Sequence, residues 1–129
     1  MNNPDIISPV MQTVARYIVE AGGRPLPDDV IQKTKYHLLD TLGSMISGSH
    51  LPPGEKAIAY AKAQGGTKEA SVPGSKLVTT VVNAALAGGM LAHADETDDS
   101  HAPSLTHPGC GIVPAALAMA EASLIPLND

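Results

Sequence analysis

Phenylalanine and tryptophan are absent from this chain of 129 residues, and the three tyrosines, Tyr17, Tyr36 and Tyr60, are its whole aromatic content. Any core must therefore be assembled from Ala, Val, Ile, Leu and Met. That palette disfavours a sandwich of sheets, whose strands prefer aromatic and β-branched side chains, and suits helices packed closely through small residues. Basic residues are scarce too: 8 Lys and Arg stand against 13 Asp and Glu, giving a net charge of −5. With no basic patch and no stacking aromatics, a nucleic-acid partner is not expected. Cys110 is the only cysteine, so no intrachain disulfide forms, a reducing compartment is the simpler setting, and the thiol reads as a small buried hydrophobe. Long apolar runs are missing: nothing approaches the roughly 20 residues that span a bilayer, and the opening MNNPDIISPVM lacks the basic and apolar regions of a signal peptide. The expectation is a soluble cytoplasmic protein without a membrane partner.

What is present reads as one all-α unit over residues 1–129 with about five helices, since apolar residues make up 43% of the chain and the length suits a single domain. Ser8 and Pro9 form a helix start, a capping hydroxyl followed by a residue whose missing N–H costs nothing there, and Val10, Val14, Tyr17 and Ile18 share a face. Gly22 and Gly23 end that helix. A second helix starts at LPDDV, with Pro27 in its first turn and Asp28 and Asp29 at the positive end of the dipole. Its stripe is Ile31, Leu38, Leu39, Leu42, Met45 and Ile46. SGSHLPPG breaks the pattern, EKAIAYAKAQ resumes it with Ala57, Ile58 and Ala61 inward and Lys56 and Lys62 toward water, and Gly65 and Gly66 close it. EASVPGS reads as an extended segment turning at Pro73 and Gly74, too short to imply a sheet.

From Thr80 to His93 helical spacing returns despite Gly88 and Gly89, each of which costs about 1 kcal/mol relative to Ala. A neighbouring backbone approaching closely over this small-residue surface is the expected compensation. A last helix is expected to start near Gly111, with Pro114 in its first turn, and to fade in LIPLND.

Between the fourth and fifth helices lies HADETDDSHAPSLTHPG, where Asp95, Glu96, Asp98 and Asp99 crowd four carboxylates into five residues. Held together, such groups repel, raise the pKa of at least one of their number and favour a charged imidazole nearby, an arrangement suited to proton transfer near neutral pH. The competing reading is an acidic loop splayed into water. His107 precedes a helix whose free amides suit a substrate carboxylate. His37 and His50 read as structural or solvated, His93 as serving the end of its helix, and His101 as lining a pocket or facing water. A metal site built from His93, Asp95, Asp98, Asp99, His101 and His107 is a lesser alternative, since the spacing matches neither H-E-x-x-H nor a calcium loop.

These residues resemble the MmgE/PrpD family, which includes 2-methylcitrate dehydratases, cis-aconitate decarboxylases and iminodisuccinate epimerases. The family pattern is Ala-His-x-x-Asp-x-Asp-Asp, then Thr or Ser, then His-Pro-Gly or His-Pro-Ser opening a small-residue helix. Here it reads Ala92-His93, Glu96-Thr97-Asp98-Asp99-Ser100, Thr106-His107-Pro108-Gly109, then IVPAALAMAEA, with RPLPDDVIQKTKYHLLDTLGSMISGS similar to the family's second helix. The resemblance implies the N-terminal part of a large helical domain, a separate α/β lid domain that this chain lacks, a homodimer, no cofactor and no metal. It implies a lyase or isomerase moving a proton beside a carboxylate of a small polycarboxylate, 2-methylcitrate dehydratase being the type. Carried over by position, His107 is the general acid or base and Glu96 its carboxylate partner, with Asp95 able to replace Glu96, whose acid stands one methylene further out than the family's Asp. Ser100, Thr106, Asp99 and His101 are the substrate-binding candidates, although the stretch from Asp99 to His107 is longer than in some members and leaves His101 without a secure counterpart. Because members run several times this length, the chain is expected to be a truncation product, a split subunit that needs a complementary C-terminal chain, or a noncatalytic partner supplying half a site or a dimer surface. By itself it is expected to be inactive.

Overall fold

The computed structural model describes residues 7–124 and is mostly helical, with five helices and one small two-stranded sheet among those residues. The chain forms two compact units, Met1–Gln32 and Lys33–Asp129. In the first, α1 spans Pro9–Ala21 as expected, with Pro9 in its first turn and the Ser8 hydroxyl accepting the Met11 N–H at 3.2 Å. It buries none of its residues, and Val10, Tyr17 and Ile18 remain 71, 66 and 66% exposed. The next helix, α2, spans Asp28–Gly48 and opens with Asp28 and Asp29. Pro27 precedes it rather than lying inside it, its carbonyl accepting the Ile31 N–H at 3.0 Å.

In the second unit, the described core is Met45 on α2, Ala57 and Ala61 on α3 (Pro52–Gln64), Ala70 and Val72 around the sheet, Ala84, Ala87, Leu91 and Ala92 on α4 (Val81–Ala92), and Ala118 on α5 (Pro108–Leu124). Most of these are alanine, the close-packed small-residue core that the missing aromatics required. Of the stripe expected on α2, Met45 is buried and Leu42 packs against the core, while Leu39 and Ile46 face outward. Thr41, Ser44 and Gly48 take buried places beside Met45 instead. The hydroxyls of Thr41 and Ser44 donate to the His37 and Asp40 carbonyls one turn back, which satisfies them within the helix.

EASVPGS pairs, contrary to expectation: β1 (Ala70–Ser71) and β2 (Val78–Thr79) run antiparallel, Ala70 opposite Thr79. The Val72 N–H donates to the Leu77 carbonyl at 2.9 Å, and Gly74 takes a positive φ of 71° at the turn. The Glu121 carboxylate on α5 receives the Ser71 N–H at 2.8 Å and its hydroxyl at 2.5 Å, tying the hairpin to that helix.

Two glycine contacts set the spacing of the helices. A Cβ on Gly48 would lie 1.9 Å from the Leu91 carbonyl oxygen, and one on Gly54 would lie 2.0 Å from the Gly48 carbonyl oxygen. SGSHLPPG is therefore more than a break: it brings the end of α2 and the start of α3 against α4, and Pro52 and Pro53 open α3 earlier than its apolar pattern indicates. Likewise Gly88 faces the Pro114 ring, where an added Cβ would lie only 2.8 Å from Pro114 Cβ, and Gly89 lies against the Cys110 carbonyl. The close approach expected at these glycines is supplied by α5. That helix starts at Pro108, three residues before Gly111, so Pro114 lies inside it rather than in its first turn. Lacking an N–H, Pro114 leaves the Cys110 carbonyl without its helical donor, and Gly89 is where α4 covers that carbonyl. Residues 125–129, where the helix is expected to fade, lie outside the described residues.

Candidate active site

The site is built on the turn between α4 and α5. His93 is the C-cap of α4, its N–H donating to the Gly89 carbonyl at 3.2 Å. The chain then folds back through Asp95, whose carboxylate accepts the Ser47 hydroxyl from α2, the Thr97 hydroxyl and, at 3.2 Å, the Thr97 N–H. Those hydrogen bonds, Ser47 first and Thr97 next, hold the Asp95 carboxyl below the ordinary carboxylate range. Glu96 follows with a φ of 59°, a left-handed conformation uncommon outside glycine, asparagine and aspartate. Its side chain is 74% exposed, with Oε1 at 3.8 Å from His93 Nε2.

Asp98 is buried, its side chain 0% exposed. One oxygen, Oδ2, lies 3.1 Å from His93 Nδ1, and the other, Oδ1, lies 3.5 Å from His107 Nδ1 without a hydrogen bond. The two rings stand 5.4 Å apart, tilted by 55°. Hydrogen bonding to Asp98 and its charge raise the His93 pKa above the usual 6.5, against the opposing effect of desolvation. His107 Nδ1 is 2.8 Å from the Asp99 carbonyl oxygen. A carbonyl only accepts, so Nδ1 carries the hydrogen and the neutral ring keeps its lone pair on Nε2.

Asp99 turns the other way and accepts the Gly109 N–H at 2.7 Å, capping α5 from outside the helix. One of the amides expected to suit a substrate carboxylate, that of Gly109, is thus taken by a carboxylate of the chain. Between Asp99 and His107 the backbone closes on itself: the His101 N–H donates to the Thr106 carbonyl at 2.9 Å, His101 Nδ1 lies 2.6 Å from the Ser104 hydroxyl, and that hydroxyl lies 2.8 Å from the Thr106 hydroxyl. An open cavity of about 330 Å³ lies beside this turn, walled in part by His37, Asp99, Ser100, His101 and Gly109.

The structure therefore brings His107 to Asp98, rather than to the Glu96 or Asp95 that the family resemblance implies. Glu96 sits with His93, and Asp95 is engaged by Ser47 and Thr97. Ser100, His101 and Asp99 line one cavity, while Thr106 closes the adjoining turn. His37, expected to be structural or solvated, stands on the cavity wall, and Asp98 stands out in the sequence only as one acid of four. Neither has a local signal, because His37 reaches the loop from α2 and the burial of Asp98 depends on what packs over it.

Cys110 is half-buried, and its thiol donates to the His107 carbonyl at 3.0 Å. Burial first, and the neighbouring Asp98 next, push that thiol above its usual pKa. Its sulfur, His93 and Asp98 offer donor atoms within 4.8 Å of one another, a set of imidazole, carboxylate and thiol of the kind zinc accepts. The protonated thiol opposes ligation, since a metal needs the thiolate.

A family model of the MmgE/PrpD N-terminal domain matches residues 12–124. The chain belongs to the MmgE/PrpD family. Similar curated proteins include a cis-aconitate decarboxylase-like protein, oryM, of Aspergillus oryzae (strain ATCC 42149 / RIB 40), 30% identical over 112 residues that make up 87% of this chain and 23% of that protein. The cis-aconitate decarboxylase of Homo sapiens is 34% identical over 100 residues, 75% of this chain and 20% of that protein. The chain thus spans about a quarter or less of the length of these MmgE/PrpD relatives. No solved structure matches it. Among the described residues, no helix is long and apolar enough to cross a membrane.

Proposed function

We propose that this chain supplies one wall of a proton-transfer pocket in a lyase or isomerase acting on a small polycarboxylate, with His107 as the general acid or base. The observation that carries this reading is the His107 ring itself, held at Nδ1 by the Asp99 carbonyl and set against a buried carboxylate, so that Nε2 is the atom left to take or give a proton. Decarboxylation, dehydration and epimerisation all move a proton beside a carboxylate, and an imidazole suffices for that step without a metal. The relatives' names favour decarboxylation of cis-aconitate as the first reaction to assay; dehydration of 2-methylcitrate, the reaction the motif resemblance implies, comes second. Ser100 and His101 on the cavity wall are the groups proposed to meet the substrate. A homodimer or a complementary C-terminal chain supplies the opposite wall, in a cytoplasmic setting. The test is His107→Ala in the chain joined to, or co-produced with, that remainder. A loss of about 10²–10⁴-fold in turnover is expected. Unchanged turnover on every family substrate refutes it.

A second reading, a noncatalytic partner, is favoured by the uncovered apolar side chains of α1, Val10, Tyr17 and Ile18 among them. It predicts an assembled enzyme that needs this chain and is indifferent to His107.

A further inference from the structure

The four carboxylates of the turn have separate fates, and only one is left to serve the histidines from within the protein. Asp95 is taken by Ser47 and Thr97, Asp99 by the Gly109 amide, and Glu96 reaches His93 only at 3.8 Å from a largely exposed position. Asp98 is fully buried between the rings, with Oδ2 on His93 Nδ1 and Oδ1 facing His107 Nδ1 with no hydrogen bond of its own. Burying a carboxylate oxygen without a partner is costly, so this one is poised for a donor that strengthens.

We propose that Asp98 is a positioning residue shared by two imidazoles, holding His93 in the Nδ1–H tautomer and standing ready to receive the His107 imidazolium, so that both rings exchange protons through Nε2. The inference rests on the reading of His107 as the proton carrier. A proton gained at His107 Nε2 makes the ring an imidazolium whose Nδ1–H already faces Asp99 O at 2.8 Å and Asp98 Oδ1 at 3.5 Å. Charge-assisted hydrogen bonds contract to about 2.7–2.9 Å, so the charged ring draws toward Asp98. The proton later leaves from the same Nε2, and Asp98 itself gains and loses none. His107 Nδ1 is held by a backbone carbonyl whatever Asp98 does, whereas the Nδ1 of His93 has Asp98 alone. That asymmetry is what an experiment reads.

The experiment is a long-range ¹H–¹⁵N spectrum of the full chain labelled with ¹⁵N-histidine, taken at about pH 9, well above the ordinary histidine pKa. Both rings are expected as Nδ1–H. In Asp98→Leu, which keeps the shape and removes the acceptor, His93 is expected to lose that tautomer while His107, still tied to Asp99, keeps it. His93 found as Nε2–H in the unsubstituted chain, or unchanged in Asp98→Leu, overturns the proposal; the first of these measurements needs no variant to fold. In the assembled enzyme, Asp98→Asn is expected to lower kcat by about 10–100-fold, the size seen when outer partners of functional histidines are removed, with KM little changed. An Asp98→Asn enzyme with full kcat also overturns it. If His107→Ala is fully active while the tautomers behave as described, the functional reading fails and the assignment of Asp98 as the anchor of the rings stands.

Discussion

Two glycines on α2, Gly43 and Gly48, are expected to respond to the same substitution with opposite signs. In an exposed helix, Gly→Ala stabilises by about 1 kcal/mol, because alanine loses less backbone freedom on folding. Gly43 has nothing within 4 Å of the position of an added Cβ, so Gly43→Ala collects that gain. At Gly48 the added Cβ would lie 1.9 Å from the Leu91 carbonyl oxygen and 3.0 Å from Ala94 Cβ. Restoring an ordinary contact requires α2 and α4 to separate by about 1.5 Å, and overpacking of that kind costs about 1–3 kcal/mol or more. The obstacle is backbone, which has no rotamer to yield, so the upper part of that range applies. After the helix-propensity gain, Gly48→Ala is expected to destabilise by about 2 kcal/mol. Urea unfolding followed by circular dichroism measures both, and thermal melts are expected to separate the two variants by well over about 4–8 °C, the shift per kcal/mol for a unit of this size. A Gly48→Ala chain as stable as the parent would mean that the α2–α4 contact has slack, contrary to this expectation. A Gly43→Ala chain that loses stability would show that the propensity term is not separable here.

Three further outcomes follow from the turn. The raised pKa of His93 means that its pairing with Asp98 contributes stability in full below about pH 6.5 and loses it as pH rises through the folded value. The urea midpoint of the parent is thus expected to exceed that of Asp98→Asn most at acidic pH, and a gap that widens on raising the pH to about 9 contradicts this. Asp99→Ala removes the acceptor for the Gly109 N–H and is expected to cost about 0.5–2 kcal/mol, with faster amide exchange in the first turn of α5; unchanged exchange there argues against the cap. Cys110 is expected to react with an aromatic disulfide at about pH 8 more slowly than free cysteine, since its thiol is pushed up; faster reaction would mean that burial and Asp98 do not govern it.

Helices α1 and α4 are legible in the sequence because their signals are local. Ser8 with Pro9 caps the one, helical spacing from Thr80 to His93 marks the other, and Gly88 with Gly89 announces a close neighbour, which the structure identifies as Pro114. The start of α5 lies three residues earlier than expected because Pro114 reads as a first-turn proline, whereas the ring is accommodated mid-helix where Gly88 leaves room for it. The hairpin escapes the sequence because each strand holds two residues, too few for an alternation to register, and its stability comes partly from Glu121 on a distant helix. The acids of the turn show the same division. Their crowding is plain, but the sequence offers no means of ranking Asp95, Glu96, Asp98 and Asp99, since they differ chiefly in what lies over them.

A helical protein with a small-residue core, membership of the MmgE/PrpD family and a turn dense in carboxylates and imidazoles are all legible in the chain's composition, spacing and motif, because these are properties of its covalent order. Tertiary structure alone decided which carboxylate is dry. Asp98 faces His93 and His107 because α5 returns against α4 through Gly88 and Gly89, while Ser47 on α2 draws Asp95 away and the start of α5 draws Asp99. Burial and hydrogen bonding, which set the strength and role of an ionisable group, depend on how the turn folds back on itself and on what α2 brings against it.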